Sequence, residues 1–192
     1  MKLIDITKEL FSTPVYPGDP EARLHFVRQL KTGGDCNLSE LSAGSHNGTH
    51  MDAPLHFIPD GADISQVALE RCLGPCVVVR EEGILSLQRM QEILRQAGSP
   101  ERLLLAGKVF LSREAAVAAV TGGVKLVGTQ QSSIAPMSDP AGPHCALLSA
   151  SVAVLENLDL ETVQPGKYWL CALPLKNRGE EASMVRAVLI QK

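Results

Sequence analysis

The stretch from Gly44 to Phe57 reads Gly-Ser-His-Asn-Gly-Thr-His-Met-Asp-Ala-Pro-Leu-His-Phe, and it gathers His46, His50 and His56, three of the five histidines, around Asp52. Imidazole nitrogens and a carboxylate oxygen are the ligand set that borderline-soft Zn²⁺ prefers, and three protein ligands leave a fourth position open for water or substrate. The run His-x3-His-x-Asp therefore reads as a metal site made of His46, His50 and Asp52. A bare pair of histidines four apart is more often solvated surface. The acid, the third histidine and the flanking glycine and proline turn that balance toward ligation. His56 is left over from the ligand set, and a neutral imidazole suits general acid and base work near pH 7.

These side chains need a scaffold. Asn47-Gly48 and Pro54 argue against a helix through the motif, so the histidine pair belongs on a turn leaving a strand. Residues 37–43, with Leu38 and Leu41, read as the strand that delivers it, and residues 23–30 alternate less regularly before it. His25 is an ordinary strand residue there. Leu3, Ile4 and Ile6 suggest an opening strand, and Pro14 to Pro20 a loop that carries Tyr16.

Downstream of the motif, Asp60-Gly61 signals a turn, and a short helical stretch follows around Ser65 to Arg71. Cys76 to Val79 is a buried strand by its β-branched run. Ser86 caps a helix with Leu87, Met90, Leu94 and Ala97 on one face, stopped by Gly98 and Pro100. Leu103 to Ala106 is a strand, Ser112 starts a helix with Ala116, Val117 and Val120 inward, and Val124 to Val127 is the next strand. This alternation predicts a parallel α/β arrangement. The chain then reads as loop through Pro143, with Lys167 to Leu175 and Met184 to Ile190 as closing strands. The early and late strands suggest a separate β layer.

Composition narrows the function classes. At 192 residues the chain fits a single domain, 1–192, that holds a core without staples. A net charge of −3 from 18 basic and 21 acidic residues leaves no basic stripe for nucleic acid or anionic lipid. The apolar runs fall short of the roughly 20 residues of a membrane helix. Cys36, Cys72, Cys76, Cys145 and Cys171 are odd in number and scattered, and no signal segment opens the chain, so a soluble protein of the reducing cytoplasm is expected. Cys72 and Cys76 read as core residues rather than half of a zinc site.

The segment His46-Asn-Gly-Thr-His50-Met-Asp52-Ala-Pro-Leu-His56-Phe resembles the signature of the cyclase family of metal-dependent hydrolases, which includes bacterial kynurenine formamidase and isatin hydrolase. Tyr16-Pro-Gly-Asp-Pro20, Gly128-Thr-Gln-Gln-Ser-Ser133, His144, Glu156-Asn-Leu158, Pro174-Leu-Lys176 and Val185-Arg186 look like further landmarks in the expected order.

The resemblance implies a β/α/β swivelling fold and one or two Zn²⁺ or Mn²⁺ ions per chain. By resemblance His144 and Glu156 complete a second metal position that Asp52 bridges, and the chain forms a homodimer or homotetramer. Tyr16 either lines the substrate pocket, as an aromatic does in kynurenine formamidase-like members, or packs its loop down. The implied reaction is hydrolysis of an amide, formamide or lactam C–N bond of a small-molecule substrate, of the arylformamidase type. Metal-activated water is the nucleophile and His56 the proton shuttle. A metal- or ligand-binding protein without turnover and a lactone hydrolase are the alternatives. A serine nucleophile lacks its Gly-x-Ser-x-Gly elbow. Two departures fall on the substrate side: Gln130 stands where family members carry an acid, and 107–111 is a short connection.

Overall fold

The computed structural model describes residues 1–191. Its strands are β1 (Lys2–Asp5), β2 (Arg23–Arg28), β3 (Leu38–Ser42), β4 (His50–Asp52), β5 (Leu73–Arg80), β6 (Gly83–Leu85), β7 (Arg102–Ala106), β8 (Val109–Leu111), β9 (Leu126–Thr129), β10 (Ala153–Glu156), β11 (Gly166–Cys171), β12 (Ala182–Met184) and β13 (Val188–Gln191). The helices are α1 (Leu69–Cys72), α2 (Leu87–Ala97), α3 (Arg113–Thr121) and α4 (Ala141–Ser149). The expected opening strand, the α2 and α3 helices and the strands between them are all present.

Nine strands form one curled sheet in the order β1-β13-β11-β5-β7-β9-β10-β4-β12. Its centre, β5 to β10, is parallel, as the alternation of strands and helices requires. Except for β2 and β3, the early and late strands belong to it. They extend the same sheet antiparallel at both edges, and Arg186 fastens β1 by clasping Asp5 at 2.5 Å.

Successive residues of a strand face opposite sides, and that period divides the core in two. Leu104 and Ala106 of β7, Leu126 of β9 and Leu155 of β10 join Leu170, Leu189 and Met51 in a cluster on the face that closes on itself. Leu103, Leu105, Val127 and Val154 point the other way, against Met90, Ile93 and Leu94 of α2, the alanines of α3, and Leu147 and Leu148 of α4.

The helices follow their caps. Ser86 Oγ accepts from the Arg89 amide and Gly98 closes α2 in the left-handed conformation; Ser112 Oγ accepts from the Ala115 amide to start α3. One residue of the α3 face is corrected: Ala115, Ala116, Ala118 and Ala119 are buried and Val120 packs half-buried against the same core, but Val117 is exposed. The small residues let α3 pack closely between α2 and α4.

The larger correction is α4. Residues expected as loop through Pro143 are helical from Ala141, because a proline in the first helical turn lacks only an amide that would have no partner there. Residues 184–190 likewise divide into β12 and β13. Outside the main sheet, β2 and β3 form a hairpin in which every residue is exposed, and β8 pairs in parallel with β6. Among the described residues no helix is long and apolar enough to cross a membrane.

Candidate metal centre

Strand β4 is the platform of the site. Its three residues are wholly buried between β10 and β12, with His50 opposite Glu156 and Met184, and Asp52 opposite Val154 and Ala182. The period of two sends His50 and Asp52 to one face and Met51 into the core. The chain enters β4 through Gly48 at φ +64°, a left-handed turn that a glycine takes without steric cost. The Gly48 carbonyl accepts a hydrogen bond from His50 Nδ1 at 3.0 Å, which leaves Nε2 free to face the acids.

The remaining groups converge from distant parts of the chain. α4 brings His144, whose Nδ1 donates to the Pro140 carbonyl at 2.7 Å. The end of β10 brings Glu156, held by the Ile134 amide on Oε1 at 2.7 Å. His46 Nδ1 stands 3.2 Å from Asp52 Oδ1, His50 Nε2 3.5 Å from the same oxygen, and His144 Nε2 3.7 Å from Asp52 Oδ2. Glu156 meets His50 Nε2 at 3.5 Å and His144 Nε2 at 3.1 Å.

His46, His50, Asp52, His144 and Glu156 are thus brought together with His56. His46 Nδ1 and His50 Nε2 both face Asp52 Oδ1, and two overlapping triplets, His46–Asp52–His56 and His50–Asp52–Glu156, each keep their ligand atoms within 4.8 Å of one another and share Asp52.

The donor set fits a divalent cation. Both Asp52 oxygens and His50 Nε2 are fully buried without a hydrogen-bond partner. A buried ion costs several kcal/mol unless it is compensated, so an orphaned carboxylate among imidazoles calls for positive charge. His144 makes the same point, since both its nitrogens face acceptors. A neutral imidazole has one N–H, so the second acceptor needs a proton or a metal ion.

Without metal, the site's electrostatics run strongly one way. Burial alone would pull His50 down, but the Glu156 carboxylate facing its Nε2 and the charge of Asp52 outweigh it and push the imidazole up to about 9. His144 is raised for the same reasons. Burial pushes Asp52 and Glu156 upward, yet the surrounding histidines hold both carboxyls below their ordinary values. His56 is displaced the opposite way: burial lowers it, and the nearby imidazoles add to that.

Above the acids lies a cleft of about 310 Å³, lined by Tyr16, Asp19, His56, Phe57, Ser132 and Ser133 among others. Phe57 lies nearly parallel to His144, with ring centroids 4.7 Å apart, and holds that imidazole flat. Tyr16 borders the cleft and its hydroxyl donates to Met137 Sδ at 3.1 Å. Asn47 Nδ2 ties the Tyr16 loop to the ligand loop through the Pro20 carbonyl at 3.1 Å.

The two substrate-side departures prove to be one structure. Gln130 Oε1 accepts from the Gly107 amide and Gln131 Nε2 donates to the Gly107 carbonyl, so the pair clamps the short connection and Gln130 stays out of the cleft lining. Gly107 approaches the Glu81 carbonyl so closely that a Cβ would sit 2.3 Å from it.

Cys72 and Cys76 lie in the core, their thiols pushed by burial up to about 11 and about 12, which keeps them protonated at neutral pH. Sequence reading missed Phe57 and Glu181. Glu181 Oε1 stands 3.3 Å from His46 Nε2, and nothing in a Glu-Glu pair far from the histidine motif marks it.

Comparison with known proteins agrees with this architecture. A solved structure described as a potential metal-dependent hydrolase with cyclase activity is 25% identical, with a TM-score of 0.79 over 98% of this chain and 96% of that one. An isatin hydrolase bound to the product analogue thioisatinate superposes with a TM-score of 0.84 at 19% identity, over 100% of this chain and 93% of the other. Isatin hydrolase A from Ralstonia solanacearum gives 0.83 at 20% identity, over 99% and 92%. The Cyclase family model matches residues 4–136, about two thirds of the sequence and the segment that carries His46, His50, Asp52 and His56, and the chain belongs to the Cyclase family.

Proposed function

We propose that the protein is a metal-dependent hydrolase that cleaves an amide, formamide or lactam C–N bond in a small aromatic substrate. The observation that carries the reading is Asp52, buried with both oxygens orphaned and common to two ligand triplets, whose His46, His50, His56 and Glu156 line a cleft. A relative described as a potential metal-dependent hydrolase with cyclase activity supports it. His46, His50, Asp52, His144 and Glu156 would hold the ion, Zn²⁺ or Mn²⁺. Such an ion polarises a carbonyl and makes water acidic enough to react near neutral pH.

The protein's own residues do the rest. His46, His50 and His144 each turn one nitrogen to the acids and the other to a fixed acceptor: Glu181, Gly48 and Pro140 respectively. A second acceptor is what holds a metal-ligating histidine in place. The His56 imidazole has no hydrogen bond among the described residues, and its ring packs with centroids 4.3 Å from His46 and 4.4 Å from Phe57. Burial keeps it neutral at pH 7, free to take a proton from water and return it to the leaving nitrogen.

Phe57 and Tyr16 offer aromatic surface, and Ser132 and Ser133 offer hydroxyls to orient polar substituents. A cleft of about 310 Å³ sits at the low end of small-molecule sites, which suits one or two fused rings. The test is turnover by metal-reconstituted protein on N-formylated aryl amines, isatin and simple lactones. C–N cleavage in the first two classes is expected; turnover of lactones alone, or of nothing, contradicts the proposal.

The same reading includes a dimer or tetramer. The β2–β3 hairpin supports it, because Leu24, Phe26 and Leu41 are 47–48% exposed on a two-stranded element that is marginal in water by itself. Light scattering at micromolar concentration should give at least twice the chain mass, and a monomer contradicts it.

A further inference from the structure

We propose that Glu181 is a positioning residue for the metal centre, fixing His46 as a ligand by accepting its Nε2–H. This rests on the metal-hydrolase reading above.

The argument starts from the number of nitrogens. An imidazole has two, and once one binds a metal ion the other carries a hydrogen that needs an acceptor. In His50 and His144, Nε2 faces the acids and Nδ1 meets a backbone carbonyl, of Gly48 and of Pro140. His46 is turned round: Nδ1 faces Asp52 at 3.2 Å and Nε2 faces Glu181 Oε1 at 3.3 Å. The outer partner of His46 is therefore a carboxylate where its neighbours have neutral carbonyls. A hydrogen bond to an ionised acceptor is roughly twice as strong as a neutral one, so Glu181 holds the His46 ring more firmly than a carbonyl would.

Glu181 is built into this position. Ser45 Oγ donates to the same Oε1 at 2.5 Å, and the Glu181 carbonyl accepts from the Ala53 amide at 2.8 Å. The next residue, Ala182, pairs across the sheet with Asp52. The β4–β12 register that places Asp52 thus places Glu181 as well. Glu181 belongs to neither ligand triplet and lines no part of the cleft, which leaves it the outer role.

A purely structural staple between Glu181 and Ser45 predicts different behaviour, and the experiment separates the two. Co²⁺ and Zn²⁺ dissociation constants are measured by chelator competition on the full chain, with the visible absorption of the Co²⁺ form recorded in parallel. Metal-free melting curves verify that each variant folds. Glu181→Ala should weaken binding roughly 10- to 100-fold and change the Co²⁺ spectrum, the usual consequence of losing an outer-shell partner.

Glu181→Gln, which keeps an acceptor oxygen without the charge, should fall between wild type and Glu181→Ala. Ser45→Ala leaves the carboxylate in place and should weaken binding less than either. Wild-type affinity and spectrum in Glu181→Ala overturn the assignment, as does a Ser45→Ala loss equal to that of Glu181→Ala. A wild-type protein that binds neither ion overturns the metal reading itself, a distinct result.

Discussion

His56→Ala is expected to keep its metal and its fold while kcat falls roughly 10²- to 10⁴-fold, the usual contribution of one acid–base group. The loss should fall on kcat more than on KM, because the proton moves only in the transition state. The structure sharpens this expectation, since His56 also forms a ligand triplet with His46 and Asp52. What separates it from the other histidines is the missing outer acceptor, which leaves its ring free to exchange a proton. Steady-state kinetics on a proven substrate, with metal content measured on the same sample, decide the matter. Loss of stoichiometric metal would make His56 a ligand, and full activity would remove it from the reaction.

Removing the metal should have an equally large effect on stability. An ion present at roughly 1,000 times its dissociation constant stabilises the folded state by about 4 kcal/mol, so chelation should lower Tm by roughly 8–16 °C in a protein of this size. The stripped protein should then respond to pH in a definite direction. His50 is raised from its ordinary 6.5 to about 9, so its contribution is complete below 6.5 and disappears as pH rises through 9. His144 has the same sign. Asp52 and Glu156 are lowered, so theirs is complete above the ordinary carboxylate range and is lost as pH falls further.

The stripped protein is therefore expected to melt highest between about pH 4.5 and 6.5 and progressively lower toward pH 9. The loaded protein should not share the alkaline decline, because ligating imidazoles are already neutral and metal binding releases protons. Melting curves with and without chelator across that range check both statements. Parallel curves for the two forms would contradict the site.

What could be read in advance follows from how local each signal is. Ser86, Ser112 and Gly98 mark helix ends by their own backbone chemistry, and the alternation of β7 and β9 reflects a sheet buried on both faces, so these elements are legible in a single strand of text. α4 is not, because Pro136, Pro140 and Pro143 are the residues of a loop until Pro143 is seen to occupy a first helical turn. One residue of the α3 face, Val117, was misread for a related reason: close helix packing selects alanines over it, and helical period alone does not say which neighbour is close.

The metal centre divides in the same way. His46, His50, Asp52 and His56 fall within one turn and a short strand, where spacing carries the chemistry. His144 and Glu156 arrive through α4 and β10, and only the family resemblance pointed to them. Glu181 depends wholly on the register between β4 and β12, which no local pattern encodes.

The account stands on Asp52 as the residue common to both triplets, and elemental analysis of Asp52→Ala beside wild type tests it most directly. Wild type reconstituted with Zn²⁺ or Mn²⁺ and desalted should hold at least about one ion per chain. Asp52→Ala, shown by circular dichroism to keep its fold, should lose nearly all of it, because one substitution removes the shared ligand. Metal retained at the wild-type level in Asp52→Ala, or none in the wild type, would contradict the account.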